Sequence, residues 1–279
     1  MLSYRKLAKR VLGRPLNTGR GISQTRPLSQ RAAALTLTAA LLTGAAFPAF
    51  AGTYYIENGD IVISAGTETG TNKVEQGGTL KSENDKGTII TNHDKDKASS
   101  NTVTIDANGK NDKVEVTLKD VNIDASRGSE AAVSVTGKGD TTIELDGDNE
   151  LKSGAGHAGL EHNKTDTSGE LTIQDKDNNG SLEAAGGFKG AGIGSAGSND
   201  AQVKITGGNI TATTSDDWGA GIGSGSYGTG TVEITGGEIN ATGGYLGAGI
   251  GGGCNGSGNV TRSRGPRKSG GWVGGGGGG

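Results

Sequence analysis

The chain has 279 residues, 55 of them glycine and four proline, with 31% apolar and only 4% aromatic residues. Glycine at this level with so little proline excludes collagen and Pro-rich linkers, and the aromatics are too few for a conventional globular core of this length. The 27 basic and 30 acidic residues look balanced, but residues 52–259 hold 15 basic against 30 acidic, a body that repels nucleic acid and anionic lipid and suits cations.

In chain order, residues 1–51 carry eight basic residues and no acid. An apolar run from Ala32 to Leu42 follows the basic stretch, then Pro48, then Ala49-Phe50-Ala51. A positive segment, a short apolar segment and an A-x-A site have the grammar of an export signal. The apolar run is too short for a stable span. The expectation is a mature chain that begins at Gly52, is secreted or held at the cell surface, and has no membrane span. The basic segment is long enough for translation to start further downstream.

Residues 52–100 read as an N-terminal cap with the first strands. Tyr54-Tyr55-Ile56 and Asp60–Ser64 flank Asn58-Gly59, a turn signal for a hairpin or a coil corner. Residues 65–100 are polar and irregular, with Ile89-Ile90 as their main apolar pair.

Residues 101–259 read as repeats. Strand starts at 116, 143, 171, 203 and 232 step by 27, 28, 32 and 29 residues. A second apolar point follows each, and a third comes at Val135, Leu160, Ile193, Ile222 and Ile250. Gly-Ala-Gly-Ile-Gly recurs at Gly190–Gly194, Gly219–Gly223 and Gly247–Gly251. No stretch has helical spacing. The reading is all-β: a right-handed parallel β-helix of about 28 residues and three short strands per coil. Ile143, Leu171, Val203 and Val232 are expected to stack inward, with Leu145, Ile173, Ile205 and Ile234 beside them. The glycine phrases are expected at the tightest corner, where side chains do not fit.

Residues 260–279 break the pattern. Arg262 stands where an inward apolar residue is due, and a basic, glycine-rich stretch follows. A frameshift or a disordered tail both account for it. The single cysteine, Cys254, has no partner for an internal disulfide.

Two motifs could carry chemistry. Asp175-Lys176-Asp177-Asn178-Asn179-Gly180-Ser181 matches the first half of a calcium loop, with Asp175, Asp177, Asn179 and Ser181 as ligands. It lacks the acid at the twelfth position, and an Asx turn is the plain alternative. Asp106, Asn108, Asn111 and Asp112 form a looser cluster. Second, an aromatic residue precedes each glycine phrase: Phe188, Trp218 and Tyr245. Such a row on one edge suits stacking on sugar rings, with Asp216, Asp217 and Tyr227 flanking it. A purely structural corner stack is the alternative. His157 falls at the position of Gly190, Gly219 and Gly247, and reads as a tolerated corner residue. Adjacent carboxylates such as Asp216-Asp217 point to opposite faces of a strand, which does not suit paired-acid glycoside hydrolysis.

The segments Val116–Ala125 and Ile143–Gly147, the Gly-Ala-Gly-Ile-Gly phrases and Ile-Thr-Gly-Gly-x-Ile-x-Ala together resemble a family of secreted bacterial carbohydrate-binding β-helix proteins. The resemblance covers most of residues 52–259. It implies a shape related to pectate lyases, binding of plant polysaccharide such as pectin or cellulose, calcium, and no established enzymatic activity. The expected protein is a non-catalytic, monomeric polysaccharide binder, with help from Ca2+ implied by the resemblance. A surface adhesin or stalk is the alternative, and a polysaccharide lyase or hydrolase a further one.

Overall fold

A computed structural model describes residues 51–215 and 218–263. Most of the expected export signal, the Asp216–Asp217 pair and the tail from residue 264 lie outside them. The described residues fall in one compact unit.

The chain winds as a parallel β-helix with three faces. The first face stacks Thr53–Tyr55, Thr88–Thr91, Lys113–Lys119, the start of Asp140–Lys152, Leu171–Gln174, Asp200–Ile205, Thr229–Ile234 and Ser257–Arg262. The second stacks Asn122–Asp124, the end of Asp140–Lys152, Gly180–Gly186, Asn209–Thr214 and Glu238–Thr242. The third runs from Ile61–Ala65 through Val103–Ala107, Val133–Gly137 and Leu160–Lys164 to three two-residue strands at Ile193, Ile222 and Ile250. Partners Val116, Ile143, Ile173, Ile205 and Ile234 lie 27, 30, 32 and 29 residues apart.

Alternation explains the strands: on Lys113–Lys119 every second residue (Val114, Val116, Leu118) is buried, as a half-buried strand requires. On the third face Ile61, Val103, Val133, Leu160, Ile193, Ile222 and Ile250 form one inward column. All but Ile250 are fully buried or nearly so. Burying each such side chain contributes roughly 1.5–3 kcal/mol.

The register differs from the sequence expectation at two points. Ile143 pairs with Ile173, and Thr141 rather than Ile143 faces Leu171. Leu160 pairs with Val133, which leaves His162 opposite Val135. Both differences are slips of two residues. Because side chains alternate with period two, such a slip keeps every apolar residue inward and is silent in the pattern. It has polar consequences: buried Thr141 carries a hydroxyl without a hydrogen-bond partner among the described residues, and His162 sits in the core. Asn149, opposite Leu182, is also buried, but its amide accepts from Val121 N at 3.0 Å and donates to Ser181 O at 3.0 Å.

The N-terminal region is more regular than its composition suggests. Asn58-Gly59 is a coil corner, since Tyr54 pairs on the first face and Ile61 on the third. Asn72–Gln76 adds antiparallel to Ile61–Ala65, Thr79–Asp85 adds antiparallel to Asn72–Gln76, and together they cover the third face's first edge, a common protection for an open sheet edge. Ile89-Ile90 belongs to a full rung between Thr53–Tyr55 and Lys113–Lys119. At the other end Ser257–Arg262 still forms a rung, but all six residues are exposed and Arg262 lies opposite Ile234.

The glycine phrases form the tight corner. A Cβ on Gly190 would lie 2.0 Å from His157 O, one on Gly219 2.0 Å from Gly190 O, and one on Gly247 2.1 Å from Gly219 O. Gly194, Gly223 and Gly251 have φ of 132°, 133° and 132°, a region open to glycine.

Candidate functional site

The corner between the second and third faces places the aromatic residues. Gly180–Gly186 ends in a glycine pair, and the chain turns through Phe188 and Lys189, the latter at φ 68°. Coil-to-coil hydrogen bonds fix this backbone: Gly156 N donates to Phe188 O at 2.8 Å, Ser226 N to Lys189 O at 3.0 Å and Cys254 N to Trp218 O at 2.7 Å.

Phe188 is half exposed, and the Lys189 ammonium lies 5.1 Å from its ring centroid and 5.6 Å from that of Trp218. A cation at such distances is attracted to both ring faces. Phe188 and Trp218 thus share one lysine on one corner. Tyr227, exposed and at φ 65°, donates its backbone N–H to Cys254 O at 2.8 Å. Since Cys254 N binds Trp218 O, Tyr227 belongs to a turn tied to the same corner. Tyr245 is 88% exposed on the last described coil, beside half-exposed Leu246. The row is not in strict step: Phe188 and Tyr245 precede their corner glycines by two residues and Trp218 by one. Asp216 and Asp217 lie outside the described residues.

Of the calcium-loop residues, Asp175 spends both its carboxylate oxygens within the fold. Asp175 Oδ1 accepts from Asn179 N and Oδ2 from Gly180 N, both at 3.1 Å, which makes an Asx-type turn. Asn179 donates its side chain to Asp146 and Ser181 its hydroxyl to Asp148. Among the described residues no group of three or more His, Cys, Asp or Glu side chains is arranged to hold a metal. In the looser cluster, Asp112 Oδ2 likewise accepts from Gly109 N at 2.7 Å.

A groove on the second face was not singled out in the sequence. Lys95, Asp96, Asn122, Asp148, Glu150, Ser181 and Glu183 line about 460 Å³. Asn122, Glu150 and Glu183 are register partners on adjacent rungs. Lys95 pairs with Asp148 at 3.4 Å, and Lys152 pairs with Glu150. The hydrogen bond to Glu150 raises the Lys152 pKa.

His157 proves to be more than a corner residue. Its Nδ1 lies 2.8 Å from Oε2 of Glu161, a buried side chain that also accepts from Ala158 N at 3.1 Å and Asn163 Nδ2 at 2.9 Å. Asn163 Oδ1 in turn accepts from Ala196 N at 2.8 Å. This network buries a carboxylate with its donors and ties two coils together. Next to it, burial holds the His162 pKa below the ordinary histidine value, opposed by its contact with Gln202 O.

The beta helix repeat family matches residues 203–226 and 232–254, two successive coils in phase with the rungs above. No curated protein and no solved structure matches the chain. The repeat match and the wound sheet together make this a parallel β-helix protein. Among the described residues no helix is long and apolar enough to cross a membrane.

Proposed function

We propose that the protein is a non-catalytic, extracellular polysaccharide-binding β-helix whose contact surface is the corner carrying Phe188, Lys189 and Trp218, flanked by Tyr227 in the following turn. A parallel β-helix hosts both enzymes and binders, so the fold alone does not choose. The observation that carries the reading is the Lys189 ammonium set beside both the Phe188 and Trp218 rings. Ring faces take the apolar side of a sugar. The paired rings suit a polysaccharide such as pectin or cellulose. The monomer acts alone, with Tyr245 extending the surface and Asp216 and Asp217 supplying acceptors to hydroxyls. Calcium assists rather than being required, since Asp175 is engaged in its own turn.

The test is affinity electrophoresis of the exported protein in polygalacturonate and pull-down on cellulose, with and without chelator. Retardation by polygalacturonate, weakened in Phe188→Ala and Trp218→Ala, is expected. No retention by any polysaccharide would sink the reading, and product release from pectin would replace it with a lyase or hydrolase. A second reading, a surface adhesin or stalk, is favoured by the last described coil, where Ile239, Ala241 and Ile250 are only partly buried and Val260 is exposed. Retention by whole cells without any glycan retention would select it.

A further inference from the structure

The first residues of the described body hold a buried carboxylate with an unusual partner. Gly52 N lies 2.7 Å from Asp85 Oδ1. Asp85 is 2% exposed. Its other oxygen accepts from Thr88 Oγ1 at 3.0 Å. The Tyr54 hydroxyl also binds Asp85, and burial followed by the Asp85 charge pushes the Tyr54 pKa up to about 12. Among the described residues, no lysine, arginine or histidine pairs with Asp85. A buried charge is costly unless a counter-charge meets it.

The position opposite this carboxylate fits glycine. A Cβ on residue 52 would lie 2.5 Å from Tyr54 Oη and 2.8 Å from Asp85 Oδ2. Gly52 O accepts from Ile89 N at 2.9 Å, which pins the residue to the first face. Gly52 is also the residue that follows Ala49-Phe50-Ala51, the small-residue site expected to be cut.

We propose that the Ala51–Gly52 bond is the processing site of this chain and that Asp85 is the receptor for the ammonium released there. The co-reactants are an endopeptidase of the signal-peptidase class and one water. The water oxygen ends in the Ala51 carboxylate, and the Gly52 nitrogen gains two protons to become –NH3+. Before the cut this nitrogen is a neutral amide offering one proton. Afterwards it offers three and carries the counter-charge that the Asp85 carboxylate lacks, converting a hydrogen bond from a neutral donor into an ion pair. Processing thereby locks the first rung. The inference is independent of the glycan reading.

Mass spectrometry of the exported protein is expected to find Gly52 at the N-terminus. Asp85→Asn is then made in the processed chain and in a chain kept uncut by substitution at Ala49 and Ala51. The Tm cost of Asp85→Asn is expected to be larger in the processed chain by about 3 °C. Pairing raises the pKa of the folded chain's α-ammonium. The excess stability is therefore complete below the ordinary α-amino value of about 8 and is lost as pH rises through the raised folded value. A cut elsewhere overturns the proposal, as does an equal cost of Asp85→Asn in both chains. Should Asp85→Asn not fold, labelling of the processed chain's α-amine across pH decides. A midpoint well above about 8 supports the pairing, and an ordinary midpoint overturns it.

Discussion

Gly219→Ala tests whether the glycine phrase is a steric corner. The added methyl carbon would sit 2.0 Å from Gly190 O and 2.8 Å from Gly190 C, both backbone atoms of the preceding coil. Relief to about 3.2 Å requires the two coils to separate locally by roughly 1.2 Å, a quarter of the ~4.8 Å rung spacing. That movement strains the Gly192 N to Ala220 O bond at 3.0 Å and the Thr214 Oγ1 to Gly190 O bond at 3.1 Å. Overpacking costs about 1–3 kcal/mol and each lost hydrogen bond about 1, so the expected loss is about 3–5 kcal/mol, or about 10 °C in Tm. Gly128→Ala is the control: its nearest neighbour is Ala125 O at 3.4 Å, so it should change stability by less than about 0.5 kcal/mol. Urea unfolding followed by circular dichroism measures both. Equal stabilities for the two variants would refute the steric account.

Ile205→Ala, which truncates a fully buried column residue, should cost about 2–5 kcal/mol in urea unfolding, while Val260→Ala on the exposed last rung should stay within about 0.5. Asn149→Ala leaves Val121 N unpaired inside the coil and should lower stability by about 1–3 kcal/mol. Burial depresses the His162 pKa in the folded chain, so its contribution is complete above the ordinary value of about 6.5 and is lost as pH falls through the folded value. Replacement by Gln should flatten the Tm-versus-pH curve on that acid side, and an unchanged curve would remove His162 from the account. Trp218→Ala should weaken retardation by polygalacturonate severalfold with the circular dichroism spectrum unchanged.

The coil and its glycine corner were legible because both depend on repetition. Gly190, Gly219 and Gly247 sit one coil apart in sequence and one above another in space. Register was less legible. Moving Ile143 from Leu171 to Ile173 keeps it inward, so only corner geometry decides between the two. The N-terminal rungs escaped for a different reason. Asn72, Asp85 and Thr88 are polar residues turned inward and linked by hydrogen bonds through Thr88, which composition reads as loop. The aromatic corner was legible as a recurrence. The lysine that unites two of its rings was not, because Lys189 has no counterpart at the later phrases. The second-face groove went unseen because outward positions carry no periodic constraint.

The unequal burial of the coils has a mechanical consequence. In a solenoid pulled along its axis, tension falls on the hydrogen bonds between rungs and peels one coil at a time. The rung Ser257–Arg262, exposed along its whole length, would yield before the stack around Ile143 and Ile173, whose side chains are fully buried. From Ile205 to Ile234 one coil takes 29 residues, so each release pays out about 100 Å of chain. Anchored at one end, such a molecule absorbs a pull in discrete lengths while the rungs beyond the break keep their shape.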